Sequence, residues 1–364
     1  MNSLIDSVRF IPLETIKESL FVNEQYRFGV IGQNMFISGG GVGMTININS
    51  GGRSDRSAKA VLQFDFDGNY IGQIAPRGQG PHELVRLDSW YTHDALQQLN
   101  AEGNYKMVIK SFKNDKTTDV RMEITALDVI PLSDGSFVAV GPPLIKEYKD
   151  RPYLYFLDAN GRETASMKYP EERDIYSVMP REGEPGSGHN ETRNVFPRFS
   201  GYALFKDAYN DTTYLIKSAE DIKPYLVFKR GKYIPLIKDA NDIDRKSRQI
   251  FIRNIKETED YIFLTTIYKR KYYFDIWQKK DRQLFSRAEL DTNSSHHYVS
   301  TFTGGFGTYY ELPNGDKQLI DILYVEEDAI YAIIEAEVAK TFIEGIHEED
   351  NPVIMVAKLK PAKK

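Results

Sequence analysis

The strongest constraint on this chain is a repeated pattern of short alternating segments separated by tight-turn dipeptides. In LQFDFDGNYIGQI, residues 62–74, Leu62, Phe64 and Phe66 alternate with polar residues, which is the period of a half-buried strand. The dipeptide Asp67-Gly68 follows, and it tolerates the positive φ values of a tight hairpin turn. The segment therefore predicts a β-hairpin.

The same pattern recurs along the chain, with little between the units that resembles a helix. Turn residues separate apolar segments at intervals of roughly 30 residues, which is compatible with blades of about four strands. Strand–turn–strand units are predicted over 125–140, 153–167, 225–237, 261–290 and 318–338, with one more strand at 353–360. Short helical connectors are predicted at 92–100 and 238–250. One all-β propeller fits this pattern better than two stacked sandwiches.

The composition excludes several chemistries. The 364 residues include no cysteine, so disulfides, cysteine-ligated metals and a thiol nucleophile are excluded. The net charge of −5 argues against a nucleic-acid partner. The basic cluster Lys269-Arg270-Lys271 is interpreted as a solvated turn. No run of about 18 apolar residues occurs, so no transmembrane segment is expected.

The stretch GQGPHE, residues 78–83, has two interpretations. Its glycines could point backbone N–H groups at an anion, but the chain has no phosphate-loop motif there. The favoured interpretation is a structural corner between two blades, built from Gly78, Gln79, Gly80, Pro81 and Glu83. In it the glycines permit the turn, Pro81 stiffens it, and Glu83 accepts backbone or arginine hydrogen bonds.

A longer stretch, FDFDGNYIGQIAPRGQGPHE at 64–83, resembles the six-bladed β-propeller family of Bacteroides-type bacteria, which is related in shape to NHL and TolB-like propellers. The resemblance covers nearly the whole chain. It continues, in the family's order, in VRFIPLET, LDVIPLSDGSFV, YFLDANG and NDTTYLI. It implies one domain over residues 1–364, a single six-bladed propeller of mainly four-stranded antiparallel blades. We expect the N-terminal strand, around Val8–Pro12, to close the ring with the C-terminal region. The glycine-rich insertion at 38–57 and His82 depart from the family pattern.

The resemblance also carries functional expectations. The family has no established enzymatic activity, and its members typically follow an export signal, often a lipoprotein one. We therefore expect a non-catalytic module of the cell envelope that recognises a protein or glycan partner through loops at one face of the propeller. We expect export to the periplasm, or to an envelope membrane through a lipid upstream of the given residues. The alternative is a carbohydrate-active hydrolase or lyase with carboxylates at the propeller centre.

The residues single out no catalytic group, metal site or cofactor. The adjacent pair His296-His297 would point to opposite faces of a strand, and no HExxH or GxSxG motif occurs. One aromatic segment, HHYVSTFTGGFGTYY at 296–310, is interrupted by glycines and resembles an exposed loop. It is the predicted ligand-binding surface, formed by Tyr298, Phe302, Phe306, Tyr309 and Tyr310.

Overall fold

The computed structural model is an all-β ring of six antiparallel sheets. Within its described residues, two short α-helices lie between strands. It describes residues 1–21, 26–39, 61–74, 78–84, 89–92, 95–100, 106–124, 126, 128–141, 152–168, 193–198, 200–236, 239, 242–269, 271–290 and 306–361.

Five of the six sheets contain four strands that pair in sequence order. Blade one is formed by β2 (Tyr26–Ile31), β3 (Asn34–Gly39), β4 (Val61–Asp65) and β5 (Tyr70–Ile74). Blade two is formed by β6 (Ser89–Thr92), β7 (Ala95–Asn100), β8 (Lys106–Ser111) and β9 (Thr117–Arg121). Blade three is formed by β10 (Asp128–Pro131), β11 (Phe137–Val140), β12 (Leu154–Leu157) and β13 (Glu163–Met167). Blade four is formed by β14 (Arg193–Pro197), β15 (Ala203–Asp207), β16 (Thr212–Ile216) and β17 (Ile222–Val227). Blade five is formed by β18 (Phe251–Glu257), β19 (Tyr261–Tyr268), β20 (Lys271–Gln278) and β21 (Gln283–Leu290).

The sixth sheet combines the two ends of the chain. Its strand order is β1, β25, β24, β23, β22. The bounds are β1 (Ile5–Pro12), β22 (Phe306–Glu311), β23 (Lys317–Val325), β24 (Ala329–Ile334) and β25 (Val353–Leu359). Val8 lies opposite Ala357 and Pro12 opposite Val353, so the N-terminal strand is the outer strand of the last sheet.

Contacts between neighbouring sheets identify the inner strands of the ring. The first strands of blades one to five, β2, β6, β10, β14 and β18, contact one another in succession. In the sixth sheet β23 contacts β2, and the ammonium of Lys256 on β18 donates to the carbonyls of Ile322 and Leu323 on β23. Strands β23, β24, β25 and β1 therefore form a four-stranded sixth blade, to which β22 is added. The predicted six-bladed propeller is confirmed.

The ring has two distinguishable faces because its strands alternate in direction. We call the face where each inner strand ends the turn face; it carries the turns from first to second and from third to fourth strands. We call the opposite face, where one blade is linked to the next, the link face. β18 therefore begins at the link face with Phe251 and ends at the turn face with Glu257.

Apolar side chains fill the spaces between blades. Phe263 and Phe274 of blade five lie in one buried cluster with Ile330 and Met355 of blade six. Between blades six and one, the ring of Tyr331 stacks on Phe28 with the centroids 5.1 Å apart. Such aromatic pairs add specific geometry to the burial of apolar area.

Two predictions about local structure are wrong. Where a helical connector was predicted over 92–100, Thr92 ends strand β6 and Ala95–Asn100 form strand β7. Strand β7 is paired on both edges, and Leu96 is fully buried in the core of blades one and two. Residues 233–236 are not a strand: the chain makes a 3-10 turn at Gly231–Tyr233. The connector predicted at 238–250 contains a helix, α1 (Ile243–Ser247). The second helix is α2 (Ala336–Ala339).

Candidate functional site

Charged residues gather on the turn face, where the inner strands of blades four, five and six end. Arg198 follows β14, Glu257 is the last residue of β18, and Glu326 follows β23. The first turns of blades five and six are joined by a hydrogen bond of 2.7 Å from the Glu259 N–H to the Glu327 carbonyl. The fold thus brings polar groups from three blades to one face of the ring.

The centre of this region is a buried carboxylate. The Glu257 side chain is 1% exposed, and it accepts from the Arg198 Nε, from the Lys279 Nζ at 2.5 Å and from the Tyr225 hydroxyl at 2.8 Å. Lys279 also donates to the Thr258 carbonyl at 2.6 Å. We call Arg198, Tyr225, Glu257 and Lys279 the Glu257 cluster. Because buried charges must be paired, the cluster also joins blade four to blade five.

Burial shifts the pKa values of two members of the Glu257 cluster, Tyr225 and Lys279. Burial, and then the charge of Glu257, raise the pKa of Tyr225 to about 12, so at neutral pH the phenol keeps its proton and donates a hydrogen bond to the carboxylate. Burial lowers the pKa of Lys279, although the neighbouring Glu257 opposes this effect. Two basic side chains, Arg198 and Lys279, thus face one carboxylate.

A second carboxyl group, that of Glu326, lies partly buried in the next blade. Glu326 accepts from the Tyr331 hydroxyl at 2.8 Å. Burial raises the pKa of Glu326; the Tyr331 hydrogen bond opposes this effect, and the nearby Asp328 carboxylate adds to it. The ring of Tyr324 lies 5.8 Å from that of Tyr331. A half-buried carboxyl with a raised pKa can hold a proton closer to neutral pH than an exposed one can.

The predicted aromatic surface is described in part. Tyr298 and Phe302 lie outside the described residues. Phe306, Tyr309 and Tyr310 are on β22. Tyr310 is 7% exposed and belongs to the core between blades five and six, whereas Tyr309 is half-buried with the Lys317 ammonium 5.2 Å from its ring centroid. A ligand-binding role for this segment stays a prediction.

The stretch Gly78–Glu83 lies in the link from β5 of blade one to β6 of blade two. Glu83 accepts from the Gly80 N–H at 2.8 Å, and the Gly78 N–H donates to the Leu84 carbonyl at 3.0 Å. The imidazole Nδ1 of His82 lies 2.8 Å from Asp119 on β9. These backbone N–H groups are used inside the link, which does not favour an anion site there. In this link His82 has a positive φ of 60°, whereas Gly78 and Gly80 do not have positive φ values.

The described residues contain neither a candidate metal site nor a candidate membrane-spanning helix. Within the ranges given above, no group of three or more histidine or acidic side chains could hold a metal ion. In the same part of the chain, no helix is long and apolar enough to cross a membrane.

The fold and the site define a six-bladed β-propeller with a buried ion cluster on its turn face. The chain belongs to the family described as Domain of unknown function (DUF4934), whose model matches residues 1–358. None of the proteins with curated functions matches it.

Two crystal structures of Bacteroides proteins share the fold. A candidate exported protein of Bacteroides fragilis is 14% identical, with a TM-score of 0.66 over 98% of this chain and 96% of that one. A member of the DUF4221 family from Bacteroides vulgatus is 9% identical, with a TM-score of 0.53 over 98% and 97% of the two chains. At these identities the likeness is one of fold, and it agrees with the resemblance to Bacteroides-type propellers.

Proposed function

We propose that this chain is a non-catalytic binding or scaffold module of the cell envelope that recognises a protein or glycan partner through loops at the turn face. The observation that carries the proposal is the arrangement of the Glu257 cluster. Its carboxylate is buried and satisfied by three donors, so it is not aimed at a substrate. Catalytic carboxylates, in contrast, face the reacting bond.

The loops around the Glu257 cluster offer the means of recognition. Arg198 and Lys279 keep 15% and 19% of their side chains exposed, and the acidic turns Glu326–Asp328 and Glu259-Asp260 lie beside them. Such a mixed charged rim suits a partner with hydrogen-bonding groups of both kinds. In binding modules, the residues that contact the partner usually lie on loops that a rigid scaffold holds in place.

The place of action is part of the same proposal. We propose export to the periplasm, or to an envelope membrane through an upstream lipid, of a single domain over residues 1–364 that is NHL-like or TolB-like. Support comes from the family resemblance and from the B. fragilis protein, which is described as a candidate exported protein. Cell fractionation of the natural gene product tests this. Recovery from the cytoplasm would contradict it.

Capture from envelope extracts tests partner recognition. The full chain would be compared with a turn-face variant, Asp281→Arg/Glu327→Arg, and with a link-face control, Glu344→Arg/Glu349→Arg; all four side chains are exposed. We expect a specific protein or glycan to be captured by the wild type and the control and lost by the turn-face variant, because reversed charges repel the original partner. Equal capture by both variants would contradict the proposal.

Glu326 favours a second candidate function, carbohydrate hydrolysis or elimination at the propeller centre. Its raised pKa is the property expected of a general acid. A screen of glycan substrates tests this candidate. Turnover that Glu326→Gln abolishes, in a variant that still folds, would replace the non-catalytic proposal with an enzymatic one.

A further inference from the structure

A basic and aromatic surface forms on the link face, where three distant segments meet at the start of β18. The Ile250 N–H donates to the Tyr233 carbonyl and the Lys269 N–H to the Ser247 carbonyl, each at 2.8 Å. The rings of Tyr233 and Tyr268 meet edge to face with centroids 5.6 Å apart. We call this surface the basic patch; its exposed members are Lys229, Lys232, Tyr233, Leu236, Arg248 and Lys269.

The charge of the basic patch is opposite to that of the chain. Within the described ranges, no carboxylate forms an ion pair with the four exposed cations Lys229, Lys232, Arg248 and Lys269. The chain as a whole has a net charge of −5. An anionic surface would therefore be attracted to the basic patch, against the net charge of the chain.

Each of the two aromatic rings of the patch has one lysine ammonium close to it. The Lys232 ammonium lies 5.4 Å from the Tyr233 centroid, and the Lys269 ammonium lies 5.3 Å from the Tyr268 centroid. A cation over one face of each ring leaves less aromatic surface for stacking on a sugar than a free ring would offer. Tyr233 and Leu236 are instead 36% and 42% exposed beside the lysines, as interfacial anchors of peripheral membrane proteins are.

The loop that carries Tyr233 and Leu236 is fixed by a buried arginine at its start. Arg230 is buried, and its guanidinium donates to the carbonyls of Ala208 at 3.0 Å and of Asn210 and Ile250 at 2.9 Å. It also pairs with the Asp211 carboxylate at 2.6 Å. The exposed side chains thus start from a fixed backbone, which lowers the entropic cost of binding.

We propose that the basic patch docks this protein on an anionic lipid bilayer, with the lysines among the headgroups and Tyr233 and Leu236 at the boundary with the acyl chains. Strand β18 runs from the patch to Glu257, a length of about 20 Å at the usual rise of a strand. Docking therefore leaves the turn face pointing away from the lipid. The inference does not depend on which partner the turn face binds.

Co-sedimentation with vesicles tests the docking. The probes are vesicles of phosphatidylcholine alone and vesicles in which about a third of the lipid is phosphatidylglycerol or phosphatidylserine. We expect binding to both anionic vesicles and little binding to phosphatidylcholine, with a loss at high salt because exposed charges are screened. Since each lysine near an anionic membrane is worth about 1 kcal/mol, Lys229→Gln/Lys232→Gln/Lys269→Gln should weaken partitioning by about 100-fold.

Two further variants make the test specific. Lys17→Gln/Lys113→Gln/Lys116→Gln removes the same charge from exposed lysines elsewhere and should leave most of the binding. Tyr233→Ser/Leu236→Ser should weaken partitioning while preserving its salt dependence. The proposal would be overturned if the two lysine variants lost vesicle binding equally. It would also be overturned if the wild type bound vesicles of pure phosphatidylcholine as well as it binds the anionic ones. Capture by heparin or single-stranded RNA with no vesicle binding would overturn it too, and would assign the patch to a dissolved polyanion.

Discussion

The carboxylate of Glu257 on β18 and the guanidinium of Arg198 after β14 form a buried ion pair that joins blades four and five. Each blade supplies one further donor to the same carboxylate, Tyr225 from blade four and Lys279 from blade five. The pair is therefore formed when the two blades pack together, and its charges are compensated in the packed state.

Removing this carboxylate should cost more stability than removing an exposed one. Glu257→Ala leaves Arg198 and Lys279 partly buried without their counter-ion, and such losses cost about 3–5 kcal/mol. Urea unfolding of the full chain measures the change. The control is Glu289→Ala, which breaks an ion pair to Lys271 whose partners are half exposed and should change stability little. Similar losses in the two variants would contradict the structural role of the cluster.

Gly78 is required because of a side chain and not because of its own backbone angle. A Cβ at this position would lie 1.9 Å from the Glu83 Oε2, the atom that accepts from the Gly80 N–H at 2.8 Å. Gly78→Ala should therefore displace the carboxylate, break that hydrogen bond and destabilise the chain by about 1–3 kcal/mol. Thermal or urea unfolding measures the loss.

A double-mutant cycle separates this cause from general strain in the link. In a Glu83→Ala background, Gly78→Ala should cost little, because the obstructing carboxylate is gone. Gly72→Ala is the matched control, since a Cβ at Gly72 would have no atom within 4 Å. If Gly78→Ala costs as much without Glu83 as with it, the explanation is wrong.

The sequence predicts most of the fold because the fold is set by local patterns. The dipeptides at Asp67-Gly68, Asp134-Gly135 and Asn160-Gly161 predict tight turns, and their glycines have φ values of 89°, 83° and 80°. The exception at 92–100 has a physical reason. Its polar residues suggest a connector, but pairing with β6 and β8 makes Ala95–Asn100 a strand, as tertiary context often overrides local preference.

The charged site and the basic patch could not be predicted in the same way. Arg198, Tyr225, Glu257 and Lys279 come from four separate segments, and no spacing between them signals a common carboxylate. The run at 269–271 is locally a short basic turn. Lys269 gains significance when the fold places it beside the loop that carries Lys229 and Lys232. In a closed ring, neighbouring blades create sites that no single hairpin encodes.

A buried lysine should make stability increase with pH above neutrality. Lys206 is 0% exposed; burial, assisted by the charge of Arg230, lowers its pKa from 10.5 to about 7. Between these two values the unfolded chain holds a proton that the folded chain has lost, so the free energy of unfolding rises with pH. One such group gives a slope of up to about 1.4 kcal/mol per pH unit.

Urea unfolding at several values between about pH 7 and pH 10 measures this slope. Lys206→Met should flatten it, because the hydrophobic side chain cannot titrate. The control Lys223→Met removes a lysine whose side chain is 72% exposed and should leave the slope unchanged. An unchanged slope in Lys206→Met would contradict the assignment.

Buried tyrosines should make the free energy of unfolding fall with pH above about pH 10. Burial raises the pKa of Tyr225 and of Tyr324 from 10.0 to about 12 each. Above pH 10 the unfolded chain loses phenolic protons that the folded chain keeps, so the free energy of unfolding falls as pH rises towards 12. Stability should therefore pass through a maximum near pH 10.

Urea unfolding followed by tyrosine absorbance measures the free energy of unfolding on both sides of this maximum. Tyr324→Phe should make its fall above pH 10 shallower, since phenylalanine has no proton to release. A curve that keeps rising beyond pH 11, or a Tyr324→Phe variant with an unaltered decline, would show that these phenols do not control the alkaline limb.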